Sequence, residues 1–152
     1  MSAEPLTFEL EPDYVTVYRS TPMERISLVK RGVSAVYARR VMAALWDRRD
    51  AGYEALNLAP ATMNRKVARQ QALSPDEGER VLGLAKLIGQ VEAIVSESGS
   101  SPDFDASAWL SEWLNEPVAA LGGRKPVELL DTLEGQALVS DTLGRMQSGA
   151  YA

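Results

Sequence analysis

Two stretches of this chain carry residue types suited to binding charged partners. Residues 121–132 read LGGRKPVELLDT, with two glycines and two cations ahead of a proline-led, acidic, leucine-rich turn. Glycines let backbone N–H groups approach an anion at a helix start and cations add charge, so a phosphate cradle is the first chemistry to test. A phosphate loop requires G-K-[ST], whereas RKP follows the glycines here and no hydroxyl stands ready for magnesium. A tight turn at Gly122 and Gly123, with Pro126 opening a helix, is the better reading. The second stretch, residues 50–70, reads DAGYEALNLAPATMNRKVARQ. It has an apolar helix carrying Tyr53 and Leu56, a turn over residues 57–59, and a second helix opened by Pro60, the arithmetic of a helix-turn-helix. Asn57 suits the turn because asparagine tolerates the left-handed conformation. Met63 and Val67 face inward at four-residue spacing, which leaves Thr62, Asn64, Arg65, Lys66 and Arg69 for solvent or a DNA major groove.

Catalysis starts from a deficit. The chain has no histidine and no cysteine, so the usual proton-transfer side chain, a thiolate nucleophile and thiolate metal sites are missing, and neither a metal nor a cofactor is expected. Net charge is −5, but it is unevenly placed. Residues 17–72 hold eleven Lys/Arg against four Asp/Glu, a net +7, while residues 97–152 hold three against nine, a net −6. Such asymmetry points to two surfaces with two kinds of partner. No charge-free apolar run approaches a membrane span, and MSAEPLTFELEPDY is acidic and proline-broken, unlike a secretory signal; a cytoplasmic protein without membrane contact is expected.

The elements that position these residues read as helices. Residues 1–18 carry Pro5 and Pro12 and read as a loose arm with room for a short strand at TFEL. Thr21, Pro22 and Glu24 mark a capped helix that Gly32 ends, and Ser34 caps the next, whose Tyr37, Val41 and Leu45 share a face. Ser74, Pro75 and Glu77 open the strongest candidate, a helix over residues 74–96 with an apolar stripe through Val81, Leu84, Ile88, Val91 and Val95. Gly78, Gly83 and Gly89 inside it favour close approach of neighbouring elements over slack. SESGSSPDFD coincides with the change of charge and reads as a linker. Beyond it come a short helix with Trp109 and Trp113, the glycine loop, one or two helical turns at PVELL, and a final helix over about residues 132–147, where Gly135 leaves a gap for another backbone. The expected fold is all-α.

The segment WLNEPVAALGGRKPVELLDTLEGQALVSDTLGRMQSGAYA resembles the C-terminal toxin-binding domain of Xre/MbcA/ParS antitoxins, whose pattern is filled by Trp113, Leu114, Pro117, Ala120, Leu121, Gly122, Gly123, Pro126, Leu129, Leu130, Glu134, Gly135, Leu143, Arg145, Gly149 and Ala152. Upstream, ALNLAPATMNRKV and LSPDEGERVLGLAKL are similar to the family's Xre-type helix-turn-helix. Beyond the arm (1–18), the resemblance implies a Cro/Xre-like helix-turn-helix domain (19–97) and a small helical toxin-binding domain (104–152). It implies a type II antitoxin, not an enzyme, that neutralises a RES-domain toxin degrading NAD and represses its own operon. Operator contacts would come from Thr62, Asn64, Arg65, Lys66 and Arg69. Toxin contacts would come from Leu121, Gly122, Gly123, Arg124, Pro126, Glu128, Leu129, Glu134, Gly135, Asp141, Arg145, Ser148, Gly149, Ala150, Tyr151 and Ala152.

A NAD-degrading toxin must hold a pyrophosphate with cations, so an acidic partner is drawn to it before contact. The tail, with small residues, one aromatic and a carboxylate, is suited to entering such a cleft. Where the family has glycine and serine, this chain has Asn57 and Ala59, which weakens the recognition-helix cap by roughly 1 kcal/mol. A homodimer within a larger toxin–antitoxin complex is expected, with the helix at Ser74 as first candidate for its seam. The alternative is a stand-alone helix-turn-helix regulator whose C-terminal domain serves dimerisation.

Overall fold

A computed structural model describes residues 11–99 and 103–148. Within them the chain is all-α, with helices α1 (Tyr14–Arg19), α2 (Pro22–Arg31), α3 (Ala35–Leu45), α4 (Arg49–Leu56), α5 (Pro60–Ala68), α6 (Pro75–Glu97), α7 (Ala106–Trp113) and α8 (Leu133–Ser148). Two 3-10 turns, Ala119–Leu121 and Pro126–Leu129, join the last two.

The capping chemistry sets the starts. Thr21 and Glu24 form a reciprocal capping box on α2, and Ser74 and Glu77 form another on α6, each with proline in the first turn. Ser34 accepts from the Tyr37 amide at the head of α3, and Asp105 accepts from the Ala108 amide at the head of α7. With 23 residues α6 is about 34 Å long. Its buried side chains run around its circumference, the pattern of a core helix, and α1, α2, α3, α7 and α8 all pack on it.

Close approach explains its glycines. A Cβ on Gly89 would stand 2.0 Å from the Tyr14 carbonyl oxygen, so α1 lies directly against α6 at this point. That contact corrects the expectation of a loose arm over its last residues: Val17 is fully buried, and Asp13 caps α1 by accepting from the Thr16 amide at 2.9 Å. The strand considered at TFEL lies outside the described residues. At Gly83 the space of a Cβ is filled by the Gln136 carboxamide of α8.

The elements after the acidic linker share one hydrophobic core with those before it. Leu110, Leu114, Leu130, Val139 and Leu143 join Leu84, Leu87 and Ile88 in it. Polar clasps fix the register. The Gln136 amide donates to the Arg80 and Leu130 carbonyls, Gln90 and Ser140 bond each other reciprocally, and Ser111 donates to the Leu45 carbonyl.

Candidate functional site

On the basic side, α4 ends at Asn57 with φ 56° and ψ 52°, the left-handed conformation expected of it, and Leu58 N–H closes the turn on the Tyr53 carbonyl at 2.8 Å. Ala59 starts α5 without a side-chain cap, and Pro60 stands at the first helical position. Met63 is fully buried and anchors α5; Val67 packs on the core beside it. Arg65 and Arg69 are exposed, and Thr62 is half-buried. Asn64 is exposed but held, since the Tyr53 hydroxyl donates to its Oδ1 at 2.9 Å. The Tyr53 partner has no sequence signal, because the bond spans the turn.

Lys66 is placed otherwise than expected. Its ammonium donates to Glu77 Oε1 at 2.8 Å, and the two side chains are only 17% and 16% exposed. Burial by itself would raise the Glu77 pKa, but hydrogen bonds from Lys66 and the Ser74 amide outweigh it and hold the carboxyl below its usual value. The reading of Lys66 as an outward DNA contact is thereby corrected: it is a strut between α5 and the head of α6. Beside Asn64, a groove of about 540 Å³ is lined by Arg39, Arg48 and Arg49, interleaved with Asp47 and Asp50. The sequence signal for these arginines was the basic run, which named no surface.

On the acidic side, residues 118–124 close into a loop through an antiparallel bridge between Val118 and Arg124. Gly122 and Gly123 turn it at φ 71° and 81°, a region costly for other residues. The loop is no phosphate cradle. The Gly122, Gly123 and Arg124 amides are spent on the Ala119, Val118 and Leu121 carbonyls. Leu121 and Pro126 are buried under the loop, so these two expected toxin contacts are corrected to anchors; Leu129 is half-buried. Gly122, Gly123, Arg124 and Glu128 are exposed, with Arg124 and Glu128 paired at 3.9 Å.

A Cβ on Gly135 would stand 2.0 Å from the Leu129 carbonyl oxygen, so the gap expected there is filled by the chain's own backbone. Glu134, Asp141 and Arg145 are exposed along α8. Their spacing of seven and four residues puts them on one face. Ser148 ends the helix, and Gly149, Ala150, Tyr151 and Ala152 lie outside the described residues. Among the described residues, no group of three or more His, Cys, Asp or Glu could hold a metal ion, and no helix is long and apolar enough to cross a membrane.

A cation-bearing helix after a left-handed turn thus shares one core with a glycine loop and an acidic helix. Residues 103–149 match the family model of the antitoxin Xre/MbcA/ParS C-terminal toxin-binding domain, and residues 24–86 that of the antitoxin Xre-like helix-turn-helix domain. The chain belongs to the Xre/MbcA/ParS antitoxin family. A protein of Sphingobium sp. (strain YBL2) called Prs ADP-ribosylating antitoxin is 52% identical over 139 residues, covering 91% of this chain and 87% of its own length. The Xre antitoxin of Pseudomonas putida (strain KT2440) is 26% identical over 88 residues, 58% of this chain and 50% of its own. The Xre antitoxin of Yersinia enterocolitica serotype O:8 is 26% identical over 98 residues, 64% of this chain and 61% of its own.

Proposed function

We propose that this antitoxin neutralises a NAD-consuming RES-domain toxin by binding and occluding its active site, and that it represses its own operon through α5. The observation that carries the first half is the overlap of the toxin-binding match with the acidic loop-and-helix surface. Gly122, Gly123, Arg124, Glu128, Glu134, Asp141 and Arg145 form its outward part, Leu121, Pro126, Leu129 and Gly135 set its shape, and residues 148–152 reach the cleft. The name of the Sphingobium relative couples the antitoxin with ADP-ribosylation. That reaction also consumes NAD, releasing nicotinamide and passing ADP-ribose to an acceptor, so the same pyrophosphate-binding cations would face the acidic partner. The chain itself acts by binding, in the cytoplasm, where NAD and operator meet.

The repressor half rests on the exposed Arg65 and Arg69 with Thr62 and the oriented Asn64 alongside, in the segment matched by the helix-turn-helix model. A homodimer would present two such helices to a palindromic operator. Purification of the tagged chain with the toxin encoded beside it tests the first half. The complex should form, and added antitoxin should stop both NAD loss and label transfer from NAD to protein. Failure to capture the toxin, or undiminished NAD loss at saturating antitoxin, would sink the reading.

A further inference from the structure

The apolar stripe of α6 is enclosed by the chain's own helices, which corrects the expectation that it forms a seam. On α8 an apolar side chain stands outside instead. Gln136, Val139, Thr142 and Leu143 are buried and form the inner side of this helix. At 3.6 residues per turn the opposite side carries Glu134, Leu138, Asp141 and Arg145, spaced by four, three and four. All four are exposed, and Leu138, at 46%, takes no part in the core.

A single exposed leucine needs no explanation by itself. Its setting does, because a polar residue at the pole facing away from the core would serve the fold as well, and Leu138 stands there between two carboxylates. Glu134 lies one turn before it and Asp141 one turn after, about 10 Å apart along the axis. Among the described residues neither carboxylate has a cation within 4.0 Å. The backbone beneath is held: Gln136 donates to the Arg80 carbonyl and Ser140 exchanges bonds with Gln90, so α8 is fastened to α6 two residues before and two after Leu138. A partner would meet a preorganised face. The whole stripe falls within residues 103–149, the segment matched by the toxin-binding model.

We propose that Leu138 is the apolar anchor of toxin binding, seated in an apolar socket of the toxin whose rim carries cations opposite Glu134 and Asp141. The inference rests on the antitoxin reading above and adds to it the residue that holds the complex together. An apolar centre with a polar rim divides the work: burial of the leucine slows dissociation, and the rim charges speed encounter. Nucleic acid is excluded by the same stripe, since its phosphates would meet two carboxylates and gain nothing from a leucine.

The test is the association and dissociation rates of the full-length chain on the immobilised toxin encoded beside it, by biolayer interferometry at several salt concentrations. Parent, Leu138→Ala, Leu138→Met, the double variant Glu134→Gln with Asp141→Asn, and Met23→Ala are compared, each checked for fold by circular dichroism. Leu138→Ala should dissociate roughly tenfold faster with little change in association, and Leu138→Met should behave as the parent. The double variant should associate more slowly and lose salt dependence while its dissociation changes little. Met23, 72% exposed on α2, is the control for surface apolarity in general, and its replacement should change neither rate. Dissociation of Leu138→Ala at the parent's rate overturns the proposal, as does an equal loss on Met23→Ala. A parent that captures no toxin overturns the antitoxin reading itself, and is told apart from those outcomes because it shows before any variant is compared.

Discussion

The Glu77 carboxylate accepts from two elements at once, the Ser74 amide at the head of its own helix and the Lys66 ammonium on α5. It thus ties the orientation of α5 to the start of the core helix α6. Removing Lys66 leaves a mostly buried carboxylate with the cap alone, so Lys66→Ala should lower unfolding free energy by about 1 kcal/mol in urea titration. Its operator affinity should keep the parent's salt slope. Arg65→Ala, by contrast, should leave stability unchanged and flatten the slope of log affinity against log salt by roughly 0.9 for one lost phosphate contact, read by fluorescence anisotropy. Equal slopes for parent and Arg65→Ala would show that α5 does not meet the phosphates. Because the folded Glu77 pKa is depressed, its contribution to stability is complete above the ordinary glutamate value of about 4.3 and is lost as pH falls through the lower folded value. Glu77→Gln should remove that component. Melting temperatures of parent and variant should therefore diverge above about pH 4.3 and converge in stronger acid.

Helix α5, like α4, starts without a side-chain cap. Ala59 has φ −75° and ψ 117°, extended backbone of the kind a cap requires, but no side-chain oxygen. Ala59→Ser should supply one to the first-turn amides and stabilise the chain by about 1 kcal/mol, seen as a higher melting temperature; no change would mean those amides already have partners. For α1 the decisive contact is the 2.0 Å separation that a Gly89 Cβ would have from the Tyr14 carbonyl oxygen. Gly89→Ala should force α1 outward at a cost of about 2 kcal/mol and expose residues 14–19 to limited proteolysis. Unchanged proteolysis would show that α6 yields instead.

For the whole molecule, the question is how binding becomes inhibition. Gln136, Gln90 and Ser140 fasten α8 to α6, so the surface up to residue 147 is positioned without the tail. Deleting residues 148–152 should leave a folded chain that captures the toxin yet loses much of its block on NAD cleavage, measured as residual NAD loss at saturating antitoxin. Full inhibition by the shortened chain would assign closure of the active site to the loop or to α8.

Local chemistry was legible in the sequence: the capping boxes at Thr21 and Ser74, the left-handed turn at Asn57 and the glycine turn at residues 122 and 123 each depend on neighbours a few residues apart. The family pattern was legible too, because its glycines and prolines mark backbone geometry. Which way a long side chain points was not, since the partner of Lys66 is eleven positions away in the chain and one of the two partners of Gln136 is fifty-six. Nor could periodicity tell Leu121 the anchor from Gly122 the surface. Burial depends on what packs from elsewhere, and the joining of the acidic segment to the core of the basic one was decided only when α7 and α8 closed on α3 and α6.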